Sequence, residues 1–267
     1  MQYNYTKDET LLEVKDLSIT IEGNEILNNI NFTVQDIHRP GIIQGQVLSI
    51  VGKSGIGKST LLNCLSGIYK PTTGSIIIEE KINTHLGEMG VVFQDYYIYP
   101  WRRVSKVLYL ATIKNSLIKE ADRKAEVEKI VTEFNLGEHL NKFPCQLSGG
   151  QRQRVAIAEQ ILNGSEFLLL DEPFSGLDLI MLEKVFDTLI KVSMLDEKKT
   201  IIIISHDLSN CMALSDTVHI LNKPNLDKGA TIVKTIDLAE RGLAWTPGVK
   251  DLPAFRETLN EVKTYMR

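Results

Sequence analysis

Only three of the 267 residues are cysteine, and Cys64, Cys145 and Cys211 stand far apart with no Cys-x-x-Cys pair among them. That spacing excludes a disulfide scaffold and the common zinc and dithiol sites, so the three thiols are read as reduced and mostly packing. Long hydrophobic runs are missing too. Stretches such as 167–170 and 201–204 are far shorter than the roughly 20 apolar residues of a spanning helix. No dense basic run occurs, and 30 Lys plus Arg against 34 Asp plus Glu leave a formal charge of −4. A nucleic-acid partner, which needs a row of cations against phosphates, is therefore not expected. Residues 1–10 are polar, without the cationic flank and apolar core of a secretory signal, and the chain is expected to stay in the cytoplasm. With 43% hydrophobic and 24% charged residues, the composition excludes disorder, collagen and coiled coil.

Residues 11–21 and 26–34 alternate apolar and polar around the turn signal Glu22-Gly23-Asn24, which predicts two antiparallel strands. Residues 47–51 form a short apolar run that ends in a glycine-rich loop, and 59–65 continue as a helix. Segments 74–80 and 90–94 are further strand candidates. From 101 to about 162 strand signals give way to Lys, Glu, Ala and Leu, predicting a helical insert. Residues 167–171, 200–205 and 217–221 are buried-type strands separated by helical stretches, the pattern of a parallel sheet. Asp178 is placed to cap a helix carrying Leu182, Val185, Phe186 and Leu189. Leu252, Phe255, Leu259 and Val262 predict a closing amphipathic helix.

Gly52-Lys53-Ser54-Gly55-Ile56-Gly57-Lys58-Ser59, followed by Thr60, fits the phosphate-loop pattern G-x-x-x-x-G-K-[ST] between a strand and a helix. Glycines there let backbone N–H groups turn inward around phosphates, and the helix start adds its positive dipole end. Lys58 would reach the β and γ phosphates of ATP, and Ser59 would ligate Mg²⁺. Asp171, at the end of an apolar strand, supplies a carboxylate to hold that metal. The adjacent Glu172 is then placed to orient or deprotonate an attacking water.

Leu147-Ser148-Gly149-Gly150-Gln151 opens a further helix; five specified residues in a row arise by chance in on the order of one chain in a few thousand. With this segment the chain resembles the ATP-binding subunits of ABC transporters over residues 11–221. The motif order is the phosphate loop, a Q-loop at Gln94, the signature at 147–151, the Asp171-Glu172 pair, a D-loop at Ser175-Gly176-Leu177-Asp178, and a switch histidine, His206, in Ile-Ser-His-Asp.

The resemblance implies an α/β phosphate-loop ATPase core, over residues 11–223, with an antiparallel β subdomain, the helical insert at about 101–162, and a C-terminal extension at 224–267. It implies a head-to-tail dimer, of this chain with itself or with a paralogous ATPase, with two ATPs at the interface. Ser148, Gly149, Gly150 and Gln151 would serve the opposite site, Asp178 would cross the interface, Gln94 would touch Mg²⁺ or the attacking water, and His206 would contact the γ-phosphate.

Residues 89–95 followed by Tyr99-Pro100-Trp101-Arg102 look like the importers of nitrate, sulfonates and taurine. Permease subunits and, indirectly, a solute-binding protein would then be partners at the inner membrane face, with Trp101 at the permease contact. Tyr96, Tyr97, Tyr99 and Trp101 suit either a core or such a surface. Alternatives are an assembly ATPase of the iron-sulfur type, or the ATPase of an exporter or lipid-transport system. Three departures stand out: Ile21 where the family usually stacks an aromatic on adenine, a long link at 35–44, and Glu159 where Arg is common. His38, His85, His139 and His219 are expected to be structural.

Overall fold

The computed structural model describes residues 5–78, 81–82 and 87–266. Its first elements are β1 (Thr6–Ile21) and β2 (Asn24–His38), an antiparallel hairpin longer than the alternation predicts. Glu22 and Gly23 both take positive φ, 50° and 79°, giving the left-handed two-residue turn that matches strand twist. β3 (Gln46–Val51) leads through the glycine-rich loop to α1 (Lys58–Leu65). β4 (Thr73–Ile78) and β5 (Lys81–Ile82) return to the hairpin, completing a four-stranded sheet in the order β2-β1-β4-β5. The candidate strand residues Glu79 and Glu80, and His85, lie outside the described residues.

β6 (Gly90–Val92) is followed by the helical insert: α2 (Val104–Lys114), α3 (Arg123–Glu133) and α4 (Gly149–Leu162), packed on one another. Then come β7 (Phe167–Asp171), α5 (Leu179–Ser193), β8 (Thr200–Ser205), α6 (Leu208–Leu214) and β9 (Thr217–Asn222). Strands β9, β3, β8, β7 and β6 lie side by side and parallel, as expected.

Period-two side-chain alternation splits each buried strand between two cores. Val47, Val51, Leu168, Leu170, Ile201 and Ile203 face the helices, while Leu48, Ile50, Leu169, Ile202 and Ile204 face α1 and the hairpin.

The segment 224–267 is continuous with this architecture. Its strand β10 (Thr231–Asp237) pairs antiparallel with β9 as the edge of the six-stranded sheet. The closing helix α7 (Pro253–Tyr265) sinks Phe255 and Val262 into the helix-side core. The long link is also accounted for. Residues 35–38 finish β2, and the chain then wraps around the buried Arg39, whose guanidinium donates to the carbonyls of Ile37, Gln44 and Gly45 and pairs with Asp216. Trp245 Nε1 (2.8 Å) and the Val47 N–H (2.8 Å) donate to the same carboxylate.

Candidate nucleotide site

Strand register brings the expected residues to one edge. Val51 lies beside Ser205, Ile204 beside Asp171, and Leu170 beside Val92. The residues that follow these strands, Gly52, His206, Glu172 and Gln94, therefore emerge together at the carboxyl ends of the parallel sheet, where open α/β folds bind ligands.

The loop at 52–59 has the conformation its glycines allow. Gly55 and Gly57 take φ of 73° and 111°, and a Cβ on Gly57 would come within 3.0 Å of Leu27 on the hairpin. Gly57 caps α1 with no side-chain acceptor, so the first N–H groups of the helix stay open to an anion. Lys58 is buried, and its Nζ donates to the carbonyls of Gly52 and Lys53, both at 3.1 Å, folding the side chain over the loop.

The same Nζ is 3.5 Å from Glu172 Oε1. Glu172 sits in a left-handed conformation, φ 48°, just beyond β7, and that strain turns its carboxylate back across the sheet edge. Ser205 Oγ donates to it at 2.6 Å and the His206 N–H at 3.1 Å, with His206 Nδ1 at 2.9 Å. Burial alone would raise the Glu172 carboxyl; the donors on Ser205 and His206 outweigh it and hold the group below its ordinary value. Asp171 goes the other way: burial and the neighbouring Glu172 raise it, against a hydrogen bond from Ser59 Oγ at 3.3 Å. Asp171 Oδ1 is buried and has no hydrogen-bond partner. An oxygen left bare beside a serine hydroxyl suits a hard divalent cation, so the pair fits Mg²⁺.

Ser148 caps α4, accepting from the Gln151 N–H, while its own N–H donates to Gln151 Oε1 at 2.9 Å. Ser148 and Gly149 are exposed, and Gly150 is buried against Met181. Asp178 is an exposed cap of α5, its Oδ1 accepting from Met181 N, and the apolar Leu179 and Ile180 after it are 79% and 66% exposed. Gln94 is exposed just after β6. Ile21 closes the hairpin tip opposite Asn24, partly exposed.

The aromatic cluster divides. Tyr96 packs against the core, whereas Tyr97, Tyr99 and Trp101 are exposed, Trp101 to 65%, so a core role for Trp101 is excluded.

The model of the ABC transporter family matches residues 27–175, more than half of the sequence. This chain belongs to that family. Similar curated proteins include a bicarbonate transport ATP-binding protein, CmpD, from Synechocystis sp., 36% identical over 76% of the ABC subunit described here and 70% of its own length. An aliphatic sulfonates import ATP-binding protein, SsuB, from Albidiferax ferrireducens is 33% identical over 85% of this chain and 75% of its own. Both fit the importer group that residues 89–102 resemble.

Among solved structures, CbiO1 from Clostridium perfringens, part of the complex CbiONQ, superposes with a TM-score of 0.73 at 25% identity, covering 88% of this chain and 91% of its own. The dimeric cassette MJ0796, in a post-hydrolysis state with ADP and Pi, gives 0.67 at 26% identity over 85% of this chain and 98% of its own. As a member of the family the subunit binds ATP and is an ATPase.

Sequence reasoning passed over the role of Ser205. Its only signal is its place before His206, and its hydroxyl is the shortest contact Glu172 makes.

Proposed function

We propose that this ABC subunit hydrolyses ATP at the edge formed by Lys58, Asp171, Glu172 and His206, and that the work drives uptake of a small solute through a separate permease. The observation that carries this is the Glu172 carboxylate, held between Lys58 and His206 within one hydrogen-bonded cluster. A γ-phosphate at the mouth of the loop competes with that carboxylate for both donors. Its arrival draws Lys58 and His206 onto phosphate and leaves Glu172 free to orient water and accept its proton.

Residues 52–60 cradle the phosphates, Ile21 offers the adenine an apolar face, and Ser59, Asp171 and Gln94 hold Mg²⁺. That ion, when bound, neutralises charge on the β and γ oxygens. A second subunit completes the site: the exposed Ser148-Gly149-Gly150-Gln151 segment closes on the partner's ATP, and Asp178 with Leu179 and Ile180 crosses the interface.

No helix among the described residues is long and apolar enough to cross a membrane. Transport therefore requires permease subunits, which place the protein at the inner membrane face, with a solute-binding protein acting on the permease. The exposed Tyr97, Tyr99 and Trp101 favour a permease over an assembly role.

Two variants test the site. Lys58→Ala removes the charge facing the β and γ phosphates and should nearly abolish ATP binding. Glu172→Gln should bind ATP, stop hydrolysis, and run as an ATP-dependent dimer in size-exclusion chromatography. Parental hydrolysis by Glu172→Gln refutes Glu172 as the group that handles water.

A further inference from the structure

The hydrolytic carboxylate is the start and the end of a closed ring of contacts, and one member of that ring comes from the C-terminal segment. From Glu172 the ring passes to Ser205 Oγ and the His206 N–H. The Asp207 N–H donates back to Ser205 Oγ at 3.1 Å. Asp207 then caps α6, accepting from Asn210 N at 3.1 Å and from Asn210 Nδ2 at 2.6 Å. The remaining polar atom of the Asn210 amide, Oδ1, accepts from Lys250 Nζ at 2.6 Å. That ammonium stands 5.0 Å above the ring of Phe186 on α5, within cation–π range. Phe186 packs on Phe174 at 5.6 Å between centroids, and Phe174 lies two residues after Glu172.

Lys250 is in a short 3-10 turn at Val249–Asp251, between β10 and α7. Its backbone is anchored by what surrounds it: Val249 and Phe255 are buried in the helix-side core. The ammonium thus bridges two elements that adjoin site residues, α6 with His206 just before it, and α5 with Asp178 at its start. Asn210 Nδ2 holds Asp207 Oδ2 from one side of the amide, and the Lys250 ammonium on Oδ1 holds the amide from the other, so the lysine braces the Asp207 cap next to 205–207.

We propose that Lys250 is a positioning residue for hydrolysis: it clasps α6 to α5 and so fixes the backbone at 205–207, which sets where the Ser205 hydroxyl and the His206 ring stand between Glu172 and the γ-phosphate. This rests on Glu172 being the water-handling group. It gives the C-terminal segment a function in the ATPase cycle through a single side chain that touches neither nucleotide nor the carboxylate.

The test is steady-state MgATP hydrolysis by the full-length chain in three variants, each with its melting temperature. Lys250→Met keeps the apolar stem and removes the charge and the hydrogen bond; kcat should fall about 3- to 10-fold with KM for ATP within 2-fold and melting within a few degrees of the parent. Lys250→Arg keeps a donor and a cation over Phe186, and should recover most of the rate. Asn210→Ala placed on Lys250→Met should cost little more, because both break the same link.

A parental kcat in Lys250→Met overturns the proposal. So does an equal loss in Lys250→Met and Lys250→Arg that follows the loss of melting temperature. Glu172→Gln, run beside them, separates the two ideas: full activity there refutes the role of Glu172, whereas an inactive Glu172→Gln with an unaffected Lys250→Met refutes the clasp alone.

Discussion

His219 carries a buried imidazole that must stay neutral. Its Nδ1 is 2.7 Å from Thr235 Oγ1, its ring lies 5.1 Å from that of Phe32, and Nε2 is buried with no hydrogen-bond partner. Burial takes its pKa from 6.5 down to about 4. The folded-state value is thus below the unfolded one, so between these two pH values the unfolded chain holds more protons than the folded one. Stability from this group is complete above pH 6.5 and is lost as pH falls toward 4, by up to about 3 kcal/mol. Glu159 acts with the opposite sign. Burial raises its carboxyl to about 7, against the pull of Lys114, so the folded state gains stability as pH falls from 7 toward 4.5. A raw pH curve mixes the two. The difference between the parent and His219→Gln isolates the imidazole: denaturant melts should show the parent losing ground to the variant below pH 6.5. Parallel curves down to pH 4 would contradict a neutral buried His219.

At the scale of elements, the segment from Gln94 into α2 is the one whose exposure decides between two roles. Tyr99 and Trp101 contact each other with centroids 5.8 Å apart, yet both face solvent, while Ile98 just before them is buried and anchors the segment. Such paired, anchored rings are the kind of side chain that carries binding energy at an interface. Trp101→Ala should therefore leave melting within about 2 °C and ATP hydrolysis intact, and should weaken co-purification with the permease; a large drop in melting temperature with the permease contact kept would refute the docking role. The hairpin, the phosphate-loop strand, α5 with its Asp178 cap and the three buried strands were all legible in the sequence, because each is specified by local alternation or by a cap. β10 was not: only Ile236 in it is buried, and its pairing with β9 is dictated by neighbours rather than by its own pattern. The site follows the same division. Motif residues could be read off a contiguous string, whereas the hold of Ser205 on Glu172 and of Lys250 on Asn210 depends on a fold that joins positions 33 and 40 apart.

The whole molecule is held together at the end of the sheet away from the nucleotide by a charge pair that no local pattern shows. Arg39 and Asp216 are 6% and 1% exposed, and the carboxylate also takes the Val47 N–H at the start of β3 and the indole N–H of Trp245. Trp245 accepts a left-handed backbone, φ 57°, to make that bond. The hairpin, the core sheet and the C-terminal segment are therefore tied at one carboxylate, and they should unfold together rather than peel apart. Removing one charge leaves the other buried and unpaired, which costs about 3–5 kcal/mol. Asp216→Asn and Arg39→Met should each lower the melting temperature by roughly 10 °C, given about 2–4 °C per kcal/mol for a chain of this size. Hydrogen exchange tells a tie from a local contact. In the parent, amides of β10 and α7 should be protected as strongly as those of β3. In Asp216→Asn the C-terminal amides should open first, while β3 and β8 stay closed, because the variant cuts the link and leaves the central strands packed. Fast exchange of β10 and α7 in the parent would mean that the C-terminal segment is a loose attachment and that the buried pair serves only the link it sits in.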